Sequence, residues 1–301
     1  MSKKIIAIGL VLLLALSAFG NITPADKVSQ GLEDFSIQLF DVIPNVALQQ
    51  GVWPEAWIGN IFPSAPPHFG LGLSFGAAEL PIEGLNKALS QFNEAGVGGA
   101  SFPSLGDSLA FPTFTVDARI GGLILPFDIG MSFMRLPNMK FDNVTFDYLT
   151  IGGSLRYAIL QDKIIIPAVS VGMGFMYNKG FVEVKVEDSA FVRSDFETTS
   201  IFFEAQVSKK ILFLVPFLGF RGVMAQSTNS WQWEYNATFE GYGTIGQVEK
   251  GTVNRGFGDR FHPQLFGGIG FDIFMFHANL SASYDFVSSI WGANLGLRFQ
   301  M

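Results

Sequence analysis

From residue 264 to its end, the chain passes through three stretches in which every second side chain is apolar or small. In 264–273 these are Leu265, Gly267, Ile269, Phe271 and Ile273, and in 276–286 they are Phe276, Ala278, Leu280, Ala282, Tyr284 and Phe286. In 292–299 the set is Ala293, Leu295, Leu297 and Phe299, two residues from the last. A period of two belongs to a strand whose two faces meet different surroundings. Runs of about ten such residues match a tilted strand crossing a bilayer.

The same alternation recurs upstream in 69–75, 114–120, 127–133, 149–159, 169–177 and 201–207, with a more uniformly apolar run at 212–224. Connection lengths sort themselves. Those near 123–126, 160–163, 208–211 and 273–276 are tight, as is 287–290. Those at 76–112, 135–145, 178–199 and 225–263 are long. Outer-membrane barrels alternate short periplasmic turns with longer extracellular loops. The expected fold is all-β: a transmembrane antiparallel up-and-down barrel of ten strands, within a range of eight to twelve, with both termini periplasmic.

A charge on the lipid face costs roughly 2–4 kcal/mol at mid-bilayer, so charges belong on the other face. There the alternation places Asp117, Arg119, Asp128, Arg156, Glu204, Arg221, Asp272, Asp285 and Arg298, with His277 among them. These are expected to line the lumen. Tyr148, Tyr157, Tyr284 and Trp291 fall near strand ends, where aromatic girdles sit, and Trp231 and Trp233 lie in an aromatic-polar loop above. Leu295, Leu297 and Phe299 form the apolar-aromatic last strand expected to act as the insertion signal for the barrel-assembly machinery.

Residues 1–20 read as a secretory signal: Lys3 and Lys4, an apolar stretch from Ile5 to Leu16, and cleavage after Gly20 at Ala18-Phe19-Gly20. Residues 68–301 are expected to form the barrel, with extracellular loops near 76–112, 178–199 and 225–263. The chain has no cysteine, which excludes a lipoprotein anchor, a disulfide framework and thiol chemistry. Its 32 Phe and 34 Gly suit a wall that faces lipid and curves tightly. A net charge of −7 argues against nucleic acid as a partner.

Residues 21–67 stand apart. Thr23-Pro24 is a helix start, and Val28, Leu32, Phe35, Leu39 and Val42 share one helical face until Pro44 ends the pattern. An irregular connector with two Trp follows. Entering from the periplasmic side, this segment either plugs the lumen or caps the periplasmic mouth. A second short helix is expected after Pro81, with Ile82, Leu85, Leu89 and Phe92 on one face.

Chemistry is sparse. His277 shares its face with Asn279, Ser281, Ser283 and Asp285, a row that should line the lumen and not the lipid boundary where a barrel phospholipase would work. The glycine runs lie inside strands and precede no helix, so phosphate-loop readings fail. No enzyme activity, cofactor or metal is expected.

The segments His68-Phe-Gly-Leu-Gly-Leu-Ser-Phe75, Ile151-Gly-Gly-Ser-Leu-Arg156 and Phe271-Asp-Ile-Phe274 carry a resemblance to uncharacterised outer-membrane barrel families of spirochaetes and Bacteroidota. The plan also resembles, distantly, the long-chain fatty acid transporters, whose barrels hold an N-terminal hatch; this chain is too short for their fourteen strands. The resemblance implies a resident of the bacterial outer membrane. The expected function is a narrow channel or hatch-gated transporter for a small or apolar solute. The alternative is a closed structural barrel, adhesin-like, acting through its extracellular loops.

Overall fold

A computed structural model describes residues 24–49, 52–58, 67–94, 106–122, 125–141, 143–186, 190–239 and 243–301. The signal segment lies outside the described residues. Helix α1 (Pro24–Gln49) comes first, then β1 (His68–Pro81), helix α2 (Glu83–Glu94), β2 (Ser108–Gly121), β3 (Phe127–Phe141) and β4 (Val144–Leu160). There follow β5 (Ala168–Val186), β6 (Ala190–Ser208), β7 (Leu214–Phe239), β8 (Gly243–Arg255), β9 (Phe261–Ile273), β10 (Phe276–Asp285) and β11 (Trp291–Gln300).

All neighbours are antiparallel. The first strand pairs with the last, with Leu73 opposite Leu297, and β6 pairs with β7 along its length, with Glu204 opposite Arg221. The sheet therefore closes. Of its eleven strands only β8 stands outside the cylinder, which leaves a barrel of ten. The inner half of β7 pairs with β9, from Leu214–Phe271 to Met224–Phe261, and its outer half pairs with β8, from Ser227–Arg255 to Phe239–Gly243.

Closure pairs each strand of the cylinder on both sides through the belt, the condition for backbone in hydrocarbon. The exterior meets the complementary condition. Leu71, Leu73, Met131, Phe133, Met173, Phe175, Leu218, Phe220, Leu295 and Leu297 all point outward and form an apolar belt. The chain is an outer-membrane-type β-barrel, with its short turns gathered at one rim, the inner, and its longer connections at the other, the outer.

Several expected loops are strand. β5 and β6 have 19 residues each and β7 has 26, whereas about 9–11 suffice to cross a bilayer. The segment 178–199 is the outer part of the β5–β6 hairpin, 225–263 is mostly the β7–β8 hairpin, and 135–145 is nearly closed by β3 and β4. The reason is an inversion of polarity along each strand. On β5 the apolar side chains Met173 and Phe175 face lipid, but beyond Asn178 the apolar Val182 and Val184 face inward while Lys179 and Lys185 face water. The pleat continues and the solvent changes. The first long connection does contain the expected helix, α2, with Ile82, Leu85 and Leu89 buried; the Phe92 side chain lies outside the described residues.

The N-terminal segment is a plug, and two expectations about it are corrected. Helix α1 runs through Pro44, although proline removes one helical donor, because the missing bond affects a single carbonyl and the next turn is reinforced: Asn45 Nδ2 donates to the Asp41 carbonyl at 2.7 Å. Its direction is also reversed. Ser29 touches Trp233 and Glu249 of the outer hairpin, whereas Glu55 reaches His277 and Gln300 near the inner rim. The segment descends from the outer end, and the two described ends of the chain lie on opposite sides.

Candidate functional site

The lumen is filled in two layers that differ in chemistry. In the outer layer α1 contributes Val28, Leu32, Phe35 and Leu39, α2 contributes Leu85 and Leu89, and the wall contributes Phe111, Val182, Val192 and Phe196. The helices touch at glycines: a Cβ on Gly31 would lie 2.7 Å from the Ala88 nitrogen. This is a protein-like core wrapped by sheet above the membrane belt.

Three aromatics expected at the girdle or in a loop belong to this core. Tyr148 is 0% exposed, its hydroxyl donates to Asn178 Oδ1 at 3.0 Å, and its ring meets Phe111 edge-on at 5.1 Å. Trp231 and Trp233 are buried as well, and Trp233 Nε1 donates to Ser29 Oγ at 3.0 Å. Tyr148 shares the pleat parity of the lumenal Arg156, and both tryptophans share that of Arg221, so the backbone turns all three inward. Tyr157 and Trp291 do face outward, and Tyr284 stacks on Trp291 with ring centroids 4.4 Å apart.

Midway down the helix, Asp41 receives Arg255 Nη1 at 2.6 Å and a second bond from Arg260. His262 bridges plug and wall, with Nε2 3.5 Å from Asp41 and Nδ1 3.2 Å from Asp285. Asp285 also accepts the backbone N–H of Ser288 at 2.7 Å. It therefore organises the β10–β11 turn at the outer rim, away from the other lumenal charges.

The inner layer is polar. Asp128 is held between Arg119 and Arg156, with Arg156 Nη2 at 2.8 Å, and Arg221 Nη2 lies 2.7 Å from Glu204. Arg298 Nε is 3.6 Å from Asp117. Asp272 and His277 lie nearer the inner mouth, where Lys210 pairs with Asp272 and His277 Nδ1 sits 3.0 Å from Glu55. The structure thus gathers eight of the anticipated residues, His277 among them, around one short stretch of chain, residues 48 and 52–56.

That stretch is gripped by its main chain. Arg221 Nη1 donates to the Leu48 carbonyl at 2.8 Å and Arg298 donates to the Val52 carbonyl. Gln206 Nε2 serves the carbonyls of Trp53 at 2.7 Å and Pro54 at 3.0 Å, and Arg156 Nη1 serves that of Glu55 at 3.0 Å. Ser208 Oγ accepts from the Ala56 N–H at 2.9 Å. Four strands supply these groups. Between them the Trp53 ring is flanked by Arg119 at 5.4 Å and Arg298 at 4.7 Å.

Lumenal glycines make the space. Any side chain at Gly70 would overlap Trp53, a Cβ on Gly270 would lie 2.7 Å from Pro54, and one on Gly121 would lie 3.0 Å from Ile58. A cavity of about 40 Å³ lies beside Trp53, Asp117, Arg119, Glu204 and Arg221, enough for one or a few waters. Among the described residues, Asn294 Oδ1 and Nδ2, Asn279 Nδ2 and Gln300 Oε1 are buried without a hydrogen-bond partner in the chain.

Sequence reasoning missed Asp41, Glu55, Gln206 and Trp53 as site residues. A carboxylate interrupting the helix and a Trp-Pro-Glu-Ala-Trp run at 53–57 were the available signals.

No family model matches the sequence, and no curated protein matches it. Solved structures do. One is the outer-membrane protease OmpT from Escherichia coli, at 8% identity over 78% of this chain and 96% of that one, with a TM-score of 0.44. Another is the translocator domain of the autotransporter NalP from Neisseria meningitidis, at 8% identity over 79% and 90%, with a TM-score of 0.39. A third is a Pseudomonas aeruginosa FadL homologue, at 12% identity over 82% and 96%, with a TM-score of 0.28.

Proposed function

We propose that this protein is a plug-gated conduit of the outer membrane, closed at rest by residues 24–58 of its own chain and opened for a small solute. The observation that carries this reading is the main-chain grip on residues 48–56. Arg156, Gln206, Arg221 and Arg298 hold carbonyls, and such bonds exchange for water at a net of about 1–3 kcal/mol each when a charged group takes part. An apolar interlock gives up its whole burial energy on opening. The inner connector is therefore the movable part, and α1 stays anchored in the apolar outer layer. That outer layer favours a solute with an apolar body.

Conductance in planar bilayers tests the proposal on three proteins: wild type, Gln206→Ala with Arg298→Met, and a deletion of residues 24–58. Rare openings, more frequent openings and a steady current are expected in that order. Silence in all three, with heat-modifiable gel migration confirming a folded barrel, would overturn it.

The height of the outer wall favours a second reading, a closed barrel that acts on the surface. The outer face of the β5–β6 hairpin carries Lys179, Lys185, Arg193 and Glu197, well above the belt. Silence in bilayers together with cell or envelope binding lost on trimming that hairpin would support it. We also assign Leu295, Leu297 and Phe299 to recognition by the assembly machinery, and export to a signal cleaved after Gly20, which mass spectrometry of the mature N-terminus checks.

A further inference from the structure

Tight periplasmic turns are ordinarily built from Gly, Asn, Asp and Pro. Here they are apolar. The β4–β5 turn carries Ile164 at 97% exposure, with Ile165 and Ile166 beside it. The β6–β7 turn carries Ile211, Leu212 at 84% exposure, and Phe213. The β9–β10 turn presents Phe274 at 68% exposure.

Two of these side chains sit where the backbone prefers glycine. Leu212 has φ 57° and Phe274 has φ 62°, the left-handed region in which a bulky side chain is strained. The turns hold bulky apolar side chains against the local preference of the chain.

The turns also form one rigid rim. Lys209 Nζ binds Asp162 and the carbonyls of Lys163 and Ile166, and the Lys210 backbone N–H donates to Asp162 Oδ2 at 2.8 Å. Lys210 Nζ continues to Asp272, whose own N–H donates to the Phe213 carbonyl at 2.7 Å. Within the turns Lys163 N–H donates to the Ile166 carbonyl at 3.0 Å, and Ile211 and Leu214 exchange both of their backbone bonds. Lys209, Lys210, Asp162 and Asp272 are paired, while Lys163 and the apolar side chains project.

We infer that this rim is a lipid-docking surface, seated in the acyl-headgroup boundary of the inner-leaflet phospholipids. Continuity with the belt selects lipid over a protein partner: Ile159 and Leu160 lead into Ile164, and Val207 leads to Ile211. The exposed Lys163 stands at the same level, placed for an anionic headgroup.

The absence of cysteine makes the test direct. Single variants Ile165→Cys, Leu212→Cys and Phe274→Cys receive a nitroxide label in the full-length protein. Met173→Cys on the belt and Lys250→Cys on the outer hairpin serve as references, all in vesicles of phosphatidylethanolamine and phosphatidylglycerol. The ratio of relaxation by oxygen to relaxation by a water-soluble nickel chelate is expected to fall below that of Met173 and to exceed that of Lys250 several-fold. A ratio matching Lys250 would mean a rim in periplasmic water, free for a protein. Low accessibility to both reagents would mean a rim covered by a second copy. Either overturns the inference. Should a labelled variant fail to show heat-modifiable migration, Leu212→Trp with brominated acyl chains gives the same reading, and unchanged emission counts against lipid.

Discussion

Arg298, two residues from the end of the last strand, donates a hydrogen bond to the backbone carbonyl of Val52, some two hundred and fifty residues earlier in the chain. The last strand thus closes two things at once, the cylinder against β1 and the lumen against the plug. Because the contact reads a carbonyl, it does not depend on the side chain at position 52, which packs instead against Phe217 and Phe266. Replacing Arg298 with Met strands Asp117, which is buried, and releases Val52. The expected loss is about 3 kcal/mol, the scale for breaking a buried pair from one side. Urea unfolding monitored by gel shift measures it, with protease sensitivity near residue 52 as the local readout.

Gly70 is where the wall yields to Trp53. Gly70→Val should push the indole out of its place between Arg119 and Arg298, at a cost of about 1–3 kcal/mol for overpacking. Higher open probability in bilayers should accompany it. Gly258→Ala, where an added Cβ meets nothing within 4 Å, is the control and should stay within about 0.5 kcal/mol of wild type.

The burial of Tyr148 predicts an asymmetry among aromatics. Tyr148→Phe removes one hydrogen bond to Asn178 and should cost about 1 kcal/mol. Tyr148→Ala should cost about 3–5 kcal/mol, as for other large core aromatics. Trp291→Ala, at the exposed rim, should cost clearly less than Tyr148→Ala. Equal losses at positions 148 and 291 would return Tyr148 to the membrane interface.

Ala56 and Ser208 meet where the plug leaves the lumen. A double variant, Ala56→Cys with Ser208→Cys, should cross-link on oxidation in this otherwise cysteine-free chain. If the connector is the gate, the oxidised protein shows no openings and reduction restores them. Openings undiminished by a complete cross-link would refute a moving connector.

The barrel itself was legible because a period of two needs no knowledge of partners. Leu295, Leu297 and Phe299 declare a lipid face whichever strand lies beside them. The aromatic-polar alternation of 230–242 likewise reads as a hairpin above the membrane, but the β5–β6 hairpin is hidden, because an apolar-out rule reverses above the membrane. Val182 and Val192 keep the pleat but hand their apolar side to α1, so they read as interrupted alternation. The lumenal charges could be listed from sequence, yet their role could not. Arg156 and Arg221 pair with neighbouring carboxylates, as any lining residues would, and only the folded chain brings the carbonyls of Glu55 and Leu48 to them.

The downward course of α1 has a consequence for biogenesis. With Ser29 at the outer hairpin and Glu55 at the inner rim, the polypeptide crosses the bilayer level once through the lumen before its ten strands cross it through the wall. Residues 29–55 thus span the lumen from the outer hairpin to the inner rim, and they precede every strand of the wall in the chain. The filling of the barrel is synthesised ahead of its wall, so residues 24–58 are already present when the first and last strands meet.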